Sequence, residues 1–255
     1  MKKITFAVAV NNREILESNF MASPCFVGLD HPHQIVIQEG FSSASEAYND
    51  AIEKSENDLI VFCHQDVLFP REWVLQLQQA LTSLETTDPQ WGVLGCYGET
   101  LNDNGRGYVY SPGRGILGTP SEPAQVQTLD EIVLVLRKSS GLRFDKQLPH
   151  YHFYGADICM AAASRGMKSY AISAFCIHNS QLNLILPGEF YECYRYFKRK
   201  WTKSLPIQTT CVRVTRFNAR MYRRRISELF LRKEIAVARV KNGRDLLAEL
   251  QVSYE

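Results

Sequence analysis

The sequence predicts an α/β protein built on a mixed, mostly parallel sheet, with a basic helical extension at its end. Short apolar runs alternate with stretches of helical periodicity over roughly the first hundred residues, as in β-α-β chains. Each run stops on a polar cluster rather than fading out. Charge is also divided: residues 1–194 carry 13 Lys and Arg against 22 Asp and Glu, whereas residues 195–255 carry 16 against 5. That division suggests two parts with different partners, taken as an α/β domain, 1–207, and a basic amphipathic tail, 208–255.

The elements follow in order. Ile4 to Val10 is continuously apolar, as a strand covered on both faces must be. After Met1-Lys2-Lys3 this run imitates a signal peptide, but Asn11-Asn12-Arg13 cuts it short, and a buried first strand is the better account. A first helix is expected from Arg13 to Phe20, and a second strand from Gln34 to Gln38, ending in Glu39-Gly40. Ser43 and Glu46 have the capping-box spacing that opens a helix running to Ser55. Leu59 to Cys63 is a third strand, broken by His64-Gln65-Asp66. Pro70-Arg71-Glu72-Trp73 starts another helix, with proline at an allowed early position. Val93 to Tyr97 is a fourth strand. Residues 98–123, rich in Gly, Asn, Ser and Pro, read as a long loop or irregular ribbon. Regular structure returns at Ile132–Leu136, then as a helix over Gly155–Ser164 and a strand over Ser169–Ile177.

Composition narrows the function. With 255 residues, 45% hydrophobic and 22% charged, the chain is globular and long enough to bury a sizeable core. No apolar run approaches the roughly 18 residues of a membrane span. Seven cysteines form no paired spacing, and Cys63, Cys96 and Cys176 sit inside apolar runs, which points to a reducing, cytoplasmic setting. In the basic part, 195–255, Lys198-Arg199-Lys200 and Arg223-Arg224-Arg225 interleave with Phe217, Met221, Phe230, Ile235, Val237 and Val240. This pattern suits a helix packed on the main domain or docked on an anionic membrane surface. Nucleic acid is the least favoured partner, because no reader motif accompanies the charge.

Ligands of such sheets bind beyond the carboxyl ends of the strands. Asn11-Asn12, Glu39, His64-Gln65-Asp66 and His178-Asn179-Ser180 fall there. An acid directly after LIVFC is costly unless it meets a cation or several donors, which singles out Asp66; the alternative is a helix cap. Asp66 with His178 has the chemistry of a divalent-ion site, Mg²⁺ preferring oxygens and Mn²⁺ accepting imidazole more readily. The pairs His31/His33 and His150/His152 offer a competing zinc-hydrolase set with Asp66, Asp157 and His178. Their surroundings argue instead for loop, surface or pocket-lining roles. Trp91, Tyr97, Tyr151 and Tyr154 are candidate sugar platforms, with packing as the commoner fate of such rings.

The stretch AYNDAIEKSENDLIVFCHQDVLFPREWV (47–74) resembles the core of family-2-type glycosyltransferases of the GT-A fold, with HQD in the place of their D-x-D. FDKQLPHYHFYGADICMAAASRGMKSYAISAFCIHNS (144–180) and the KW-x-x-x-LPI segment (200–207) resemble the glycosyltransferase-like branch associated with streptomycin biosynthesis proteins. The resemblance implies a GT-A domain whose nucleotide-sugar site includes Asn11, Glu39, Asn49, His64, Gln65 and Asp66. Asp66 and His178 would hold Mn²⁺ or Mg²⁺. Asp157 would act as base toward an acceptor hydroxyl in an inverting transfer, although Gly155-Ala156 departs from the family's Glu-Asp pair. Trp91, Tyr97, His152 and Tyr154 fall on the acceptor side. The implied partners are a nucleotide-sugar donor, UDP-sugar favoured, and a saccharide or lipid-linked acceptor, with the protein peripheral at the inner face of the membrane. The rival is a catalytically silent module in which His64 marks a decayed D-x-D.

Overall fold

The structure, a computed structural model, describes residues 2–27, 33–102, 104–180, 185–230 and 242–250. His31, Ile235, Val237 and Val240 lie outside the described residues. The chain opens with β1 (Ile4–Val10), α1 (Arg13–Ser18), β2 (Gln34–Glu39), α2 (Ala44–Lys54) and β3 (Leu59–His64). Asn12 caps α1 by accepting from Ile15 N–H at 3.2 Å. Ser43 caps α2 by accepting from Glu46 N–H at 3.2 Å, while the Glu46 carboxylate takes the Ser42 hydroxyl at 2.6 Å. Then follow β4 (Val67–Leu68), α3 (Trp73–Thr87), β5 (Val93–Gly95), β6 (Tyr97–Glu99), β7 (Gly105–Ser111) and β8 (Gly115–Gly118). The second half holds β9 (Ala124–Val126), β10 (Thr128–Leu129), β11 (Val133–Arg137), α4 (Tyr154–Ser164), β12 (Ser169–Ala171) and β13 (Cys176–His178). It closes with α5 (Gly188–Lys200), β14 (Ile207–Gln208), β15 (Arg213–Val214), α6 (Ala219–Leu229) and α7 (Gly243–Glu249).

The central sheet has the order β2-β1-β3-β11-β5-β12-β9. Strands β2, β1, β3, β5 and β12 run one way, and only β11 and β9 are reversed. Alternate side chains leave opposite faces, so each central strand feeds two cores. Ile60 and Phe62 of β3 join α2, α4 and α5 on one face, and Val61 and Cys63 join α1 and α3 on the other. On the second face Phe69 and Trp73 stack at 4.4 Å beside Phe6, fixing the start of α3 under the strand ends.

A second sheet, β10-β6-β7-β13-β4 with β8 on β7, stands beyond the carboxyl ends of the first. The chain passes from one sheet to the other at Cys96, and again between β12 and β13. Two expectations are corrected here. The expected loop at 98–123 contains β6, β7 and β8, and the expected single strand at 169–177 is two strands in different sheets. The glycines that make 98–123 look irregular serve close strand approach. Gly107 has φ +117°, and a Cβ there would lie 2.1 Å from the Cys96 carbonyl oxygen. Helix α5, with Phe190, Tyr194 and Phe197 buried, was not anticipated from the basic run that ends it.

Beyond residue 207, β14 pairs with β15, and the Thr128 hydroxyl donates to the Gln208 carbonyl at 2.6 Å. Leu246 and Leu247 of α7 pack on Leu68, Phe175 and Ile177 of the second sheet. No helix among the described residues is long and apolar enough to cross a membrane.

Gly107→Ala is expected to destabilise the protein by at least the 1–3 kcal/mol or so typical of a disallowed backbone, read as a lower urea midpoint. An unchanged midpoint would contradict the close approach of β7 to Cys96.

Candidate functional site

The site forms where β3 ends and the chain turns into β4. The antiparallel register of β13 on β4 sets Ile177 opposite Leu68 and His178 opposite Val67. The Asn179 N–H then donates to the Asp66 carbonyl at 2.8 Å. His178 Nε2 comes to 3.4 Å from Asp66 Oδ1, and His64 Nδ1 lies 3.4 Å from His178 Nε2 and 3.9 Å from Asp66 Oδ1. The three ligand atoms all fall within 4.8 Å of one another. Asp66 Oδ1 is buried and has no hydrogen-bond partner.

The tautomer of His64 follows from its neighbour. The Tyr154 hydroxyl donates its single proton to the Glu131 carbonyl at 3.0 Å. It can therefore only accept from His64 Nε2–H, which lies 2.8 Å away. That leaves the Nδ1 lone pair of His64 pointing into the cluster. Burial, with the His178 charge, pushes the His64 imidazole down to about 4, so it stays neutral near pH 7. Burial alone would raise the Asp66 carboxyl, but His178 and His64 outweigh it and hold the group at about 2. His178, pulled down by burial and up more strongly by Asp66, ends above its ordinary value.

Gln65 ties two strand ends together. Its Oε1 accepts from Asn11 N–H and Asn12 N–H, each at 3.0 Å, and its Nε2 donates to Asn11 Oδ1 at 2.6 Å. Glu39, exposed at the end of β2, pairs with Arg13. These residues border the same side of the sheet as the His-Asp-His cluster.

Other expected site residues lie elsewhere. Asn49 is buried in α2 and clamps Phe144, donating to its carbonyl at 2.8 Å and accepting its N–H at 3.0 Å. Trp91 is buried before β5, at the opposite end of the sheet, with the Arg137 guanidinium 4.3 Å over its ring. Asp157 is 2% exposed, and its two oxygens accept from Lys200 Nζ and Trp201 Nε1, each at 2.7 Å. Through these two bonds the carboxylate ties α5 to α4. Among the described residues, His33, His150 and His152 do not join Asp66 and His178 in one ligand group. His33 takes the Ile4 N–H beneath β1 at 3.3 Å, and His150 pairs with Glu192 at 2.9 Å.

Tyr97 is half-buried at the start of β6, where its carbonyl accepts the Asp130 N–H at 2.8 Å. Tyr154 is buried beneath His64 rather than open as a sugar platform. His152 lines a cavity of about 100 Å³ with Glu131, Phe153, Phe190 and Thr209. Glu131 escaped the sequence reading because it sits among Leu129, Ile132 and Val133, with no motif around it.

Residues 5–199 match the profile of the glycosyltransferase-like family. The chain belongs to that family. A curated relative from Fuscovulum blasticum, "ATP synthase subunits region ORF 6", is 26% identical over 166 residues, which are 58% of this chain and 61% of the relative. The chain thus spans about three fifths of the curated relative it matches. Similar solved structures include TarS of S. aureus, 14% identical, covering 78% of this chain and 39% of that one, with a TM-score of 0.49. Another is the mannosyltransferase PcManGT from Pyrobaculum calidifontis in complex with GDP-Man and Mn²⁺, 12% identical, covering 79% of this chain and 64% of that one, TM-score 0.49.

The cluster fits a divalent ion on its own chemistry. Two imidazole nitrogens and a buried carboxylate oxygen without a hydrogen bond converge, and the outer nitrogen of His64 is held by Tyr154 as metal-bound imidazoles usually are.

Asp157→Asn is expected to lower the melting temperature by several degrees while leaving metal and nucleotide binding intact, because it weakens charged hydrogen bonds worth about 1.5–3 kcal/mol each. Unchanged stability with lost turnover would return Asp157 to a catalytic role.

Proposed function

We propose that the chain is an inverting glycosyltransferase that moves a sugar from a nucleoside-diphosphate donor, UDP-sugar favoured, to a hydroxyl of a saccharide or lipid-linked acceptor. The observation that carries the reading is the His64–Asp66–His178 cluster at the carboxyl ends of the strands, in a member of the glycosyltransferase-like family. His64, Asp66 and His178 would hold Mn²⁺ or Mg²⁺, which when bound supplies positive charge to the diphosphate. Asn11 and Glu39 border the nucleotide side, with Gln65 holding the Asn11–Asn12 backbone in place. Tyr154 keeps His64 in the tautomer that presents Nδ1. The three residues are half-buried, so charges placed among them act on a departing diphosphate through less water than at an open surface.

Calorimetric titration of UDP, GDP, CDP and dTDP, each with Mn²⁺ and with EDTA, tests the reading. One nucleotide is expected to bind only with Mn²⁺, and Asp66→Ala is expected to abolish that binding. Tyr154→Phe is expected to weaken Mn²⁺ binding by about 10–100-fold, the usual effect of losing an outer-shell partner. Absence of metal-dependent binding to any of the four would favour the silent module.

A lipid-linked acceptor calls for a membrane surface, and α6 supports that part of the reading. Its buried side is pinned by Met221 and by Glu228, which accepts from Tyr191 at 2.7 Å and Arg224 at 3.1 Å. Its other side exposes Tyr222, Ile226 and Phe230 beside Arg223, while Arg225 lies 5.1 Å over the Tyr191 ring. Flotation with phosphatidylglycerol vesicles but not with phosphatidylcholine vesicles is expected, and is weakened when Arg223 is changed to Glu. Equal behaviour with both lipids would remove the membrane from the proposal.

A further inference from the structure

Helix α3 has a solvent face unlike that of an ordinary surface helix. Such helices usually mix charged and polar residues on the side away from the core. From Trp73 to Leu84, α3 carries no charge at all. Its core side is made of buried residues such as Leu77, Leu81 and Leu84. Gln76, Gln79, Thr82 and Ser83 are half-buried or exposed, and with Thr86 they form a neutral polar stripe. At the helical rise the stripe extends for about 16 Å from Leu75 to Thr86.

The stripe is one wall of a groove of about 870 Å³. The opposite wall is the segment from Pro120 to Pro123, ahead of β9, together with Ser173 between β12 and β13. Hydrogen bonds fix the walls. The Ser121 N–H donates to Ser173 Oγ at 2.8 Å, and the Ser173 hydroxyl donates to the Ser121 carbonyl at 2.9 Å. The Ser83 hydroxyl reaches across to Glu122 Oε2 at 3.0 Å, and Gln76 Oε1 accepts the Phe175 N–H at 2.8 Å. Tyr108 of β7 also lines the groove, with its ring held 4.6 Å from that of Phe175. A ligand entering such a preformed site loses little to ordering of the protein.

The lining residues define what would enter. Among the described residues that line the groove, none is Lys, Arg or His, and Glu122 is the one acid. A phosphate, a nucleotide or a nucleic acid therefore meets no positive group. Large apolar surface is confined to Leu75, Tyr108 and two prolines, which gives a protein partner no deep pocket for an anchor residue. The groove offers amides and hydroxyls, which both donate and accept, beside a single aromatic ring. Gln78 adds an idle donor. Its Nε2 is buried without a hydrogen-bond partner, so turning that amide outward forfeits no bond. The matching ligand is neutral, rich in hydroxyls and apolar on one ring face.

We propose that this groove binds a neutral oligosaccharide, at a site that shares no residue with the His64–Asp66–His178 cluster. Sugar hydroxyls exchange hydrogen bonds with Gln79, Thr82 and Ser83, Glu122 accepts from another, and Tyr108 takes the C–H face of one ring. The groove borders the β12–β13 connection, and β13 carries His178. A saccharide chain lying along α3 thus stays on the molecule whether or not the cluster is occupied. The inference goes beyond the transferase reading, because binding here needs neither metal nor donor.

The test uses the full chain in EDTA, which strips metal from the cluster. Neutral hexasaccharides of glucose, mannose, galactose and N-acetylglucosamine, and the acidic hyaluronan hexasaccharide, are each titrated by ligand-observed nuclear magnetic resonance. At least one neutral chain is expected to bind, more tightly than the hyaluronan chain, and equally well in Asp66→Ala. Gln79 and Thr82 are exposed, so Gln79→Ala with Thr82→Ala is expected to keep the fold, as circular dichroism checks. That double variant is expected to bind about tenfold more weakly, as loss of two hydrogen bonds implies. Thr82→Arg, which puts a long charged side chain into the groove, is expected to abolish binding. Binding of no neutral hexasaccharide, preference for the acidic one, or undiminished binding in both groove variants would each overturn the proposal. Loss of binding in Asp66→Ala with the groove variants unaffected would move the saccharide to the cluster and overturn it as well. Failure of the protein to bind any nucleotide with Mn²⁺ would remove the transferase reading and leave the groove standing.

Discussion

Two residue pairs in the short second sheet, Ile177 against Leu68 and His178 against Val67, hold together a cluster whose members are up to 114 residues apart in the chain. Side chains alternate along a strand, so a slip of one residue would turn Ile177 toward Asp66 and His178 away from it. Burial sets the register. Leu68 and Ile177 lie in one apolar cluster with Phe175, and Leu246 and Leu247 of α7 close it from outside. The last described helix thus packs against the pairing on which the site depends.

The same pairing creates an electrostatic problem that a cation would relieve. Asp66 Oδ1 is buried and accepts no hydrogen bond, a costly state for an ionised oxygen. Its compensation comes from two imidazoles, only one of which gains protons readily: His178 is shifted up by Asp66, while His64 is held neutral by burial and by His178 itself. A carboxylate, a neutral imidazole with a fixed lone pair and a second imidazole form a set whose donor atoms suit a divalent ion.

Much of this was legible in the chain. The continuous apolar runs at Ile4–Val10 and Leu59–Cys63 gave strands because a strand covered on both faces must be apolar throughout. Asp66 stood out because an acid directly after such a run has to be compensated. Its pairing with His178 needed the family resemblance, since sequence distance carries no information about contacts between sheets. The hairpin β7–β8 was hidden because Gly107 and Gly118 serve backbone approach in strands while looking like loop residues. Trp91 and Asn49 show a second limit: aromatic and amide side chains look the same in a sequence whether they bind a ligand or pack. Their contacts, Arg137 at 4.3 Å from the Trp91 ring and Phe144 on both sides of the Asn49 amide, needed the fold.

The start of α4 shows how one helix serves both demands without conflict. Tyr154 faces the cluster and orients His64, while Asp157, most of a turn further on, grips Lys200 and Trp201 of the α5 end. Gly155 lets the helix start close on the segment between β10 and β11: a Cβ there would lie 2.9 Å from Glu131 Cγ and 3.0 Å from the Leu129 carbonyl oxygen. The grip of Asp157 on the α5 end fixes α4, α4 fixes Tyr154, and the Tyr154 hydroxyl, held by the Glu131 carbonyl, orients His64.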